Sequence, residues 1–503
     1  MACLRWLLLV LFPLLAQAQP ATDLPMGALE AQIETVLQRD AYAGASWGIA
    51  VMDLTTGEML YTPNAKNNFV PASNAKLLTT AAALEHLGPE YRYRTRLYID
   101  GPVRNGVLEG NLIVRGAGDP TLGSTEMEDG TPPMAVFQHW ADSLQARGIR
   151  SITGDIVGDD DLIDDTPLGD GWTWEDLPYG YSAEIGGLVF HDNTVQLRIE
   201  GQQSGMPGRI EWSPLNTPYV TVENRTRTVR TLRRVDEAYE RLRGSNTIVV
   251  DTRLPPGAVE REAITVTNPT LFFTSVLRDV LLNEGIAIGG RPVDVDAIPI
   301  KPAYDNERFS RVAMHVSPPL KEIVAPLNVE SLNLYAEQVL RTLGTTALAD
   351  APPDAASGTA ARGAHAVRTT LARAGVDTSH VAIADGSGLS RYNLVSAEAL
   401  VRLLQHMWTH PNASIRTAFV ESLPIGGEEG TLSYRFRGRA AANGNVRAKT
   451  GTLSNISTLS GFVTSARGTP LAFSMLCNHH TTRGRNVRNG QDVIVNALAR
   501  LAW

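Results

Sequence analysis

Cysteine is scarce in this sequence, and its scarcity limits how the chain can be stabilised. The 503 residues include two cysteines, Cys3 and Cys477. Cys3 lies in an N-terminal segment that we expect to be removed, which leaves one thiol and no internal disulfide. The mature chain must therefore be stabilised by packing. Cys477 lies in the apolar run LAFSMLCNHH, which predicts a buried, inert thiol rather than a nucleophile.

Lysine is almost as scarce, because arginine supplies most of the 45 basic residues. With 53 acidic residues the formal net charge is -8, which argues against a surface that binds nucleic acid. The charge is compatible with a small or neutral substrate. A lysine inside a motif is informative in such a chain, whose five lysines are Lys66, Lys76, Lys301, Lys321 and Lys449.

The apolar run at the N-terminus is short for a membrane span of about 20 residues, and Pro13 interrupts it. The segment MACLRWLLLVLFPLLAQAQP combines Arg5, an apolar stretch and the small-x-small sequence AQA at residues 16–18. This pattern predicts a secretory signal peptide, residues 1–18, cleaved before Gln19, and an exported protein without an integral membrane segment. An N-terminal membrane anchor is the alternative interpretation.

No repeat of 20 to 50 residues is visible, and the chain instead changes character along its length. With 43% hydrophobic and 19% charged residues, it can bury a large core and divide into two or three domains. Residues 45–62 predict two strands around a Thr-Gly turn, and 91–306 predict an all-β region rich in turns. Helical spacing returns at 317–344, and the small, polar segment 347–363 predicts a surface loop.

A serine and a lysine stand three residues apart in VPASNAKLLTTAAALEHLG, residues 70–88. The pattern predicts an apolar helix that begins at Ser73, runs through Leu87 and ends at Gly88. A neutral Lys76 on the same face can take the proton of Ser73, provided that a dry site and a second cation lower its pKa from about 10.4. The alternative is structural: Ser73 caps the helix and Lys76 extends its amine to solvent.

Two further short patterns supply groups that acyl transfer needs. Ser-Leu-Asn at 331–333 offers a hydroxyl that can pass protons and an amide that can hold a substrate carbonyl. Lys-Thr-Gly-Thr at 449–452, in a predicted strand, offers a cation, hydroxyls and a glycine that lets a substrate backbone lie against the strand edge. The order Ser-x-x-Lys, Ser-x-Asn, Lys-Thr-Gly is the signature of penicillin-binding proteins and class A β-lactamases.

With these motifs the chain resembles the class C low-molecular-mass penicillin-binding proteins. This group comprises D-alanyl-D-alanine carboxypeptidases and endopeptidases of the penicillin-binding protein 4 type. The resemblance covers nearly the whole mature chain. Further similar segments are GAGDPTL (116–122), GDIVGDDDLID (154–164), GWTWEDL (171–177), ADGSGLSRYNLVSAEAL (384–400) and GEEGTL (427–432).

The resemblance implies an α/β multi-domain fold. A transpeptidase-like catalytic domain, an antiparallel sheet flanked by helices, would comprise residues 19–90 and 307–503. A β-rich insertion of one or two smaller domains, residues 91–306, would interrupt it. A β-lactamase has its first two motifs close together, so the gap of about 250 residues between them here favours a peptidase. A catalytically silent wall-binding protein is a third reading, against which the intact motifs argue.

The resemblance also implies how the reaction proceeds. Ser73 would be the acylated nucleophile, Lys76 the general base and Ser331 a proton relay. The backbone N–H groups of Ser73 and Thr452 would form the oxyanion hole, and Lys449 would keep Lys76 neutral. Release of a terminal D-alanine or of a cross-linked D-amino group would leave an acyl-serine ester, which water hydrolyses. No cofactor and no metal is implied.

The implied substrate is a stem peptide of peptidoglycan in the periplasm, and the composition suits a Gram-negative host. A β-lactam antibiotic would acylate the same serine. The balance of carboxypeptidase and endopeptidase activity stays open. The implied substrate-binding residues are Asn333, which contacts a substrate amide, and Lys449, Thr450, Gly451 and Thr452, which surround the terminal carboxylate.

Several positions leave alternatives open. Arg391 reaches a substrate side chain or pairs with Asp385. Asp165 and Asp170 meet a free amine of diaminopimelate or form turns. The arginine-rich run at 224–243 binds an anionic polymer or phospholipid headgroups, or pairs with its own acids, which is favoured.

Two positions depart from the pattern of the family, and one pair of adjacent histidines does not have the spacing of a metal site. Leu332 stands where a polar residue is more common, and Glu429 stands where aspartate is expected. His479 and His480 lack a third spaced ligand, so no metal site is predicted there.

Overall fold

The computed structural model describes residues 23–127, 130–346 and 358–503. The predicted signal peptide at 1–18 and most of the predicted loop at 347–363 lie outside these residues. Nowhere in the three described stretches is a helix long and apolar enough to cross a membrane.

The described chain mixes helices and strands. The helices are α1 (Met26–Leu37), α2 (Ala75–His86), α3 (Ala135–Ala146), α4 (Pro269–Asn283), α5 (Leu320–Val329), α6 (Asn333–Thr346), α7 (Thr359–Arg373), α8 (Ala397–Trp408), α9 (Ala413–Glu421) and α10 (Gly484–Ala499). The strands are β1 (Ser46–Asp53), β2 (Met59–Tyr61), β3 (Asn68–Phe69), β4 (Arg94–Asp100), β5 (Val103–Arg104), β6 (Val107–Leu108), β7 (Asn111–Arg115), β8 (Ser151–Ile152), β9 (Ile156–Asp159), β10 (Thr194–Glu200), β11 (Arg209–Ser213), β12 (Thr221–Asn224), β13 (Arg227–Thr228), β14 (Tyr239–Arg241), β15 (Thr247–Val250), β16 (Arg253–Leu254), β17 (Val259–Thr265), β18 (Ala287–Ile288), β19 (Pro292–Asp294), β20 (Phe309–Val316), β21 (Val395–Ser396), β22 (Arg447–Leu453), β23 (Ile456–Thr464) and β24 (Pro470–Asn478).

One antiparallel sheet joins the two ends of the chain, in the order β2-β1-β24-β23-β22. The pairing of β1 with β2 confirms the strand pair predicted at 45–62. Because side chains alternate between the faces of a strand, Ile49 and Val51 pack with α1 and α10, while Ala50 and Met52 pack with α2 and α8. The sheet is therefore covered by helices on both faces, which confirms the α/β class.

Cys477 lies on β24, in the core between this sheet and α10. It is fully buried, and burial raises the pKa of its thiol to about 12. Since the thiolate is the reactive form, the predicted inert thiol is confirmed.

Helix α2 lies at the centre of the helical layer next to the sheet. It contacts α5, α6, α7, α8 and α9, and all of residues 75–84 are buried. A helix enclosed on every side is normally apolar all round, as leucines and alanines make most of this one. Lys76 is the one charged residue among 75–84.

Strands β4 and β20 pair antiparallel, so the chain enters and leaves residues 94–316 at neighbouring positions. They belong to a sheet in the order β19-β9-β7-β4-β20. Further strands pair as β18-β8-β6-β5, β11-β10-β17, β12-β15-β14, β13-β16 and β21-β3. The division of the chain at residues 90 and 307 into a catalytic domain and an insertion stays a prediction.

Helices α3 and α4 correct the expectation that residues 91–306 are all-β. Phe137, Trp140 and Leu144 recur at helical spacing and are buried on one face of α3. Asn268 caps α4 by accepting the N–H of Leu271 through Oδ1 at 2.7 Å. The sequence carried both signals, but the surrounding turns and short strands obscured them.

Candidate active site

Ser73 lies on a short 3-10 turn, Ala72–Asn74, that leads into α2. The prediction that Ser73 begins and caps the helix is wrong, because α2 begins at Ala75 and its N-cap, Asn74, makes no side-chain capping bond. Ala72 has a φ of +48°, a left-handed conformation that costs a residue with a side chain about 1–3 kcal/mol. A strained turn, rather than the helix itself, presents the serine.

Lys76 lies in the first turn of α2 and is fully buried. Its Nζ is 3.0 Å from Ser73 Oγ, 2.6 Å from Asn333 Oδ1 and 2.7 Å from the carbonyl oxygen of Ser387. The amide and carbonyl oxygens can only accept hydrogen bonds, so each takes an N–H of the amine. The remaining direction at Nζ faces the serine hydroxyl, where a neutral amine holds its lone pair.

Burial controls the charge of this amine. It lowers the pKa of Lys76 to about 7, against the opposing attraction of the Asp385 and Glu337 carboxylates. Lys449 is equally buried, and burial together with repulsion from Lys76 lowers its pKa well below the usual value. The sequence predicted that a dry site and a second cation, Lys449, together keep Lys76 neutral, and burial is the main cause. At neutral pH a large share of Lys76 is therefore free base.

The motif at 449–452 lies on β22, beside the turn that carries Ser73. Asn74 Nδ2 donates to the carbonyl oxygen of Lys449 at 2.9 Å and fixes the strand to the turn. A Cβ on Gly451 would lie 3.0 Å from the nitrogen of Ser73 and 2.2 Å from Thr458 Oγ1. Gly451 therefore allows the strand to approach the nucleophile, a reason different from the substrate contact that the sequence suggested.

Strand β22 ends the sheet, and past a contact with residues 424–425 no described strand pairs with its outer edge. The N–H of Ala448 donates at that edge to the carbonyl oxygen of Pro424, at 3.2 Å. Because successive residues of an antiparallel strand direct their N–H groups to opposite edges, Thr450 and Thr452 face the same edge as Ala448. Thr452 is exposed. An extended peptide can therefore reach the N–H groups of both threonines.

The motif at 331–333 connects α5 to α6. The sequence suggested that it lies inside a helix, and this is wrong. Ser331 has a φ of +68° and Asn333 begins α6. Asn333 accepts from Lys76 and donates through Nδ2 to the carbonyl oxygen of Tyr181 at 2.7 Å. No described hydrogen bond of Lys76 reaches Ser331, so the relay role stays a prediction. Leu332 packs against the core, which explains its apolar side chain.

Glu337, on α6, is a buried carboxylate that sequence reasoning missed. Its Oε1 accepts the N–H groups of Gly386 at 3.0 Å and Ser387 at 2.8 Å. It thereby orients the Ser387 carbonyl that binds the amine. Burial and the neighbouring Asp385 raise the pKa of Glu337 to about 7. The one available signal was its spacing of four residues from Asn333, which places both on one helical face.

Asp385 organises the segment that carries this carbonyl. It accepts the N–H groups of Gly388 at 2.8 Å and Ser390 at 2.6 Å, and Trp172 Nε1 at 2.9 Å. Gly388 has a φ of +84°, and a Cβ there would lie 1.8 Å from the carbonyl oxygen of Ala72. The ADGSGLS segment, which entered the sequence argument only as a resemblance, is therefore a wall of the site.

The side chain of Arg391 contacts the backbone of Ser454, the residue that follows β22. Its Nη1 and Nη2 each donate to the carbonyl oxygen of Ser454 at 3.2 Å. The alternative in which Arg391 pairs with Asp385 is wrong, because backbone N–H groups occupy that carboxylate. Asp170 adjoins the same segment, since its carbonyl oxygen accepts from Ser390 Oγ at 2.5 Å.

Two peripheral expectations have structural explanations. Glu429 Oε2 accepts the N–H of Ile425 at 3.0 Å and so closes the turn of its own loop. In the arginine-rich run, Arg225 pairs with Glu223 at 2.6 Å, while Asp236 pairs with an arginine outside the run. Both ion pairs thus join the run to residues just outside it, and the favoured pairing within the run is not seen at Arg225 or Asp236.

The sequence of the chain is similar to known peptidases over almost its full length. The family described as Peptidase_S13, D-Ala-D-Ala carboxypeptidase 3 (S13) family, matches residues 29–499. The chain is 34% identical to "D-alanyl-D-alanine carboxypeptidase" of Actinomadura sp. (strain R39), over 98% of this chain and 90% of that protein. It is 26% identical to "D-alanyl-D-alanine carboxypeptidase DacB" of Haemophilus influenzae, over 87% and 86% of the two chains.

The fold is similar to that of solved structures. The crystal structure of penicillin binding protein 4 (dacB) from Haemophilus influenzae superposes with a TM-score of 0.76 at 24% identity, covering 93% of this chain and 98% of that one. The same protein complexed with a β-lactam superposes with a TM-score of 0.70 at 23% identity, covering 93% and 99%. These likenesses show the multi-domain penicillin-recognising fold.

Proposed function

Because the chain belongs to the D-Ala-D-Ala carboxypeptidase 3 (S13) family and is a serine DD-peptidase, we propose that Ser73 is its nucleophile and Lys76 its general base. The observation that carries this assignment is a fully buried amine 3.0 Å from the hydroxyl. Burial lowers the pKa of Lys76 to about 7, close to the value that suits a general base at neutral pH.

Acylation begins when the lone pair of Lys76 takes the proton of Ser73 Oγ. Oγ then bonds to the carbonyl carbon of the penultimate D-alanine, and the carbonyl oxygen gains negative charge. The N–H groups of Ser73 and Thr452 stabilise that charge. When the C–N bond breaks, the leaving amine takes the proton back from the Lys76 ammonium, with the Ser331 hydroxyl as relay. Water activated by the same amine later hydrolyses the ester.

The substrate is held on the outer edge of β22. Lys449, Thr450 and Thr452 receive its terminal carboxylate, beside the glycine that lets the strand approach Ser73. Asn333 contributes the second hydrogen of its amide nitrogen to a substrate carbonyl, because the first is bound to Tyr181. Arg391, exposed beside Ser454, is placed to meet a side chain of the stem peptide.

The site serves peptidoglycan in the periplasm, to which the predicted signal peptide would direct the chain. The names of the relatives support D-alanyl-D-alanine bonds as substrate. The β-lactam complex of the similar fold supports acylation of Ser73 by β-lactams. Both a free terminal D-alanine and a cross-linked D-amino group are suitable leaving groups.

Labelling with a fluorescent penicillin tests the assignment of the nucleophile. The mature protein should be labelled covalently on Ser73, and Ser73→Ala should abolish the label while its circular dichroism spectrum stays that of the wild type. Ser454→Ala, a nearby exposed serine, is the matched control and should keep the label. Labelling of Ser73→Ala would end the assignment. Mass spectrometry of muropeptides after digestion would then separate terminal trimming from cross-link cleavage.

A further inference from the structure

Away from Ser73, two histidine side chains converge on one carboxylate oxygen of a glutamate. Glu85 lies in the last turn of α2, His406 near the end of α8, and His410 two residues beyond that helix. His406 Nε2 is 2.5 Å and His410 Nε2 is 3.5 Å from Glu85 Oε1. Glu85 and Lys76 stand at opposite ends of α2, about 14 Å apart along its axis, so this cluster is separate from the active site.

We propose that Glu85, His406 and His410 form a binding site for a zinc ion that joins the end of α2 to the end of α8. Their ligand atoms all lie within 4.8 Å of one another. Two imidazole nitrogens and one carboxylate oxygen are ligands that zinc prefers, with water in the fourth position. The two imidazole rings, one on α8 and one just past its end, have centroids 5.8 Å apart, which is close enough for both to bind one ion.

The surroundings of Glu85 favour a ligand role for one oxygen. Thr370 Oγ1 donates to Glu85 Oε2 at 2.8 Å, and Arg373 Nη1 lies 3.4 Å from the same oxygen. Hydrogen bonds of this kind typically orient a carboxylate that binds a metal. They leave Oε1 turned toward the histidines. The Arg373 side chain is 53% exposed, so solvent screens its charge and it can turn outward.

The separations suit zinc after a small adjustment. Ligands at 2.0–2.2 Å from zinc stand about 3.3 Å apart in a tetrahedron. His410 already stands at this distance from Glu85 Oε1, and His406 must retreat from the same oxygen by about 1 Å. The ligand atoms of the two histidines lie within 4.8 Å of each other. The side chains of His406 and His410 are 22% and 13% exposed, and that of Glu85 is 5% exposed. An ion can therefore enter past the histidines and reach a buried carboxylate.

Calorimetric titration of the metal-free mature protein, without a histidine tag, with zinc sulfate tests the proposal. We expect one zinc ion per chain, and a melting temperature that rises with zinc and falls again with EDTA. His410→Ala should weaken binding at least about tenfold. Thr370→Val, which keeps all three ligands but removes the hydrogen bond to Glu85, should weaken it to a smaller extent. His479→Ala, an exposed histidine elsewhere, is the matched control and should bind as the wild type does.

Cobalt(II) in place of zinc reports the ligands directly. Cobalt with four or five ligands absorbs strongly in the visible range, whereas hydrated cobalt absorbs weakly, so a strong spectrum lost in His410→Ala supports the site. No zinc binding, or binding unchanged in His410→Ala with a native circular dichroism spectrum, would overturn the proposal. Binding lost in His479→Ala instead would overturn it too. None of these measurements depends on the labelling of Ser73.

Discussion

Replacing Glu337 with glutamine should make the enzyme acylate at lower pH. The carboxylate of Glu337 favours the ammonium form of Lys76, as does that of Asp385. Glutamine keeps an oxygen that accepts from Gly386 and Ser387 but carries no charge. Removing the charge makes the ammonium less stable, so the pKa of Lys76 falls and the free base persists to lower pH.

The size of the shift follows from the contacts. Glu337 Oε1 and Lys76 Nζ are linked through Ser387 by hydrogen bonds of 2.8 Å and 2.7 Å. One residue lies between them, so the two charges are at most about 9 Å apart. With an effective dielectric of about 20 a full charge there is worth about 1.8 kcal/mol, or about 1.3 pKa units. Because the pKa of Glu337 is raised to about 7, it is ionised in part of the molecules, and we expect a shift of about one unit.

The assay is the rate of labelling by a fluorescent penicillin, measured on both sides of neutral pH. In the wild type the rate should rise about tenfold from one unit below the pKa of Lys76 to one unit above it. Glu337→Gln should show the same rise about one unit lower. Glu330→Gln is the control, since Glu330 is exposed and acts on Lys449. If the labelling rate of Glu337→Gln rises at the same pH as that of the wild type, or at a higher pH, the assignment of Lys76 as the titrating base is refuted.

Three other substitutions test the same site. Lys76→Met should abolish labelling yet raise the free energy of unfolding in urea, because lowering the lysine pKa from 10.5 to about 7 costs about 5 kcal/mol. The gain in stability, offset in part by lost hydrogen bonds, should be largest below pH 7, where the lysine is charged in the folded and the unfolded chain, and should shrink toward pH 10.5. A variant less stable than the wild type would contradict this. Gly451→Ala should slow labelling and destabilise by about 1–3 kcal/mol, because its Cβ crowds the nitrogen of Ser73; an unchanged rate would show that the turn yields. Trp172→Phe should cost about 1–2 kcal/mol and slow labelling, because Asp385 loses a donor; wild-type kinetics would exclude that contact from positioning the base.

Residues that stand in short local patterns could be predicted from the sequence. Ser73 and Lys76 are three residues apart, so any helical turn brings them together. The motif at 449–452 fits one strand, and the scarcity of lysine marked both motifs as unusual. The strand pair at 45–62 was predictable for the same reason, because its turn and its alternation are local.

Contacts between distant segments could not be predicted in this way. Glu337, Asp385 and Trp172 come from three separate parts of the chain, and no spacing rule links them to Lys76. Which of the two expected causes of the lowered pKa, a dry site or a second cation, is the larger could not be predicted for the same reason. A second lysine in a motif is visible in the sequence, whereas complete burial of a side chain follows from the packing of α2 among five other helices.

The oxygens around the amine show why the chain has to complete its fold before it has a base. Asn333 is held by the carbonyl of Tyr181, and Asp385, which shapes the loop of Ser387, is held by Trp172. Residues 172–181 thus support two of the three partners of Lys76, although they lie far from each motif in sequence. Because burial lowers the pKa of the amine, a gap along this segment that admits water would restore the charge. The segment therefore contributes to the chemistry through the dryness of the site as well as through any contact with substrate.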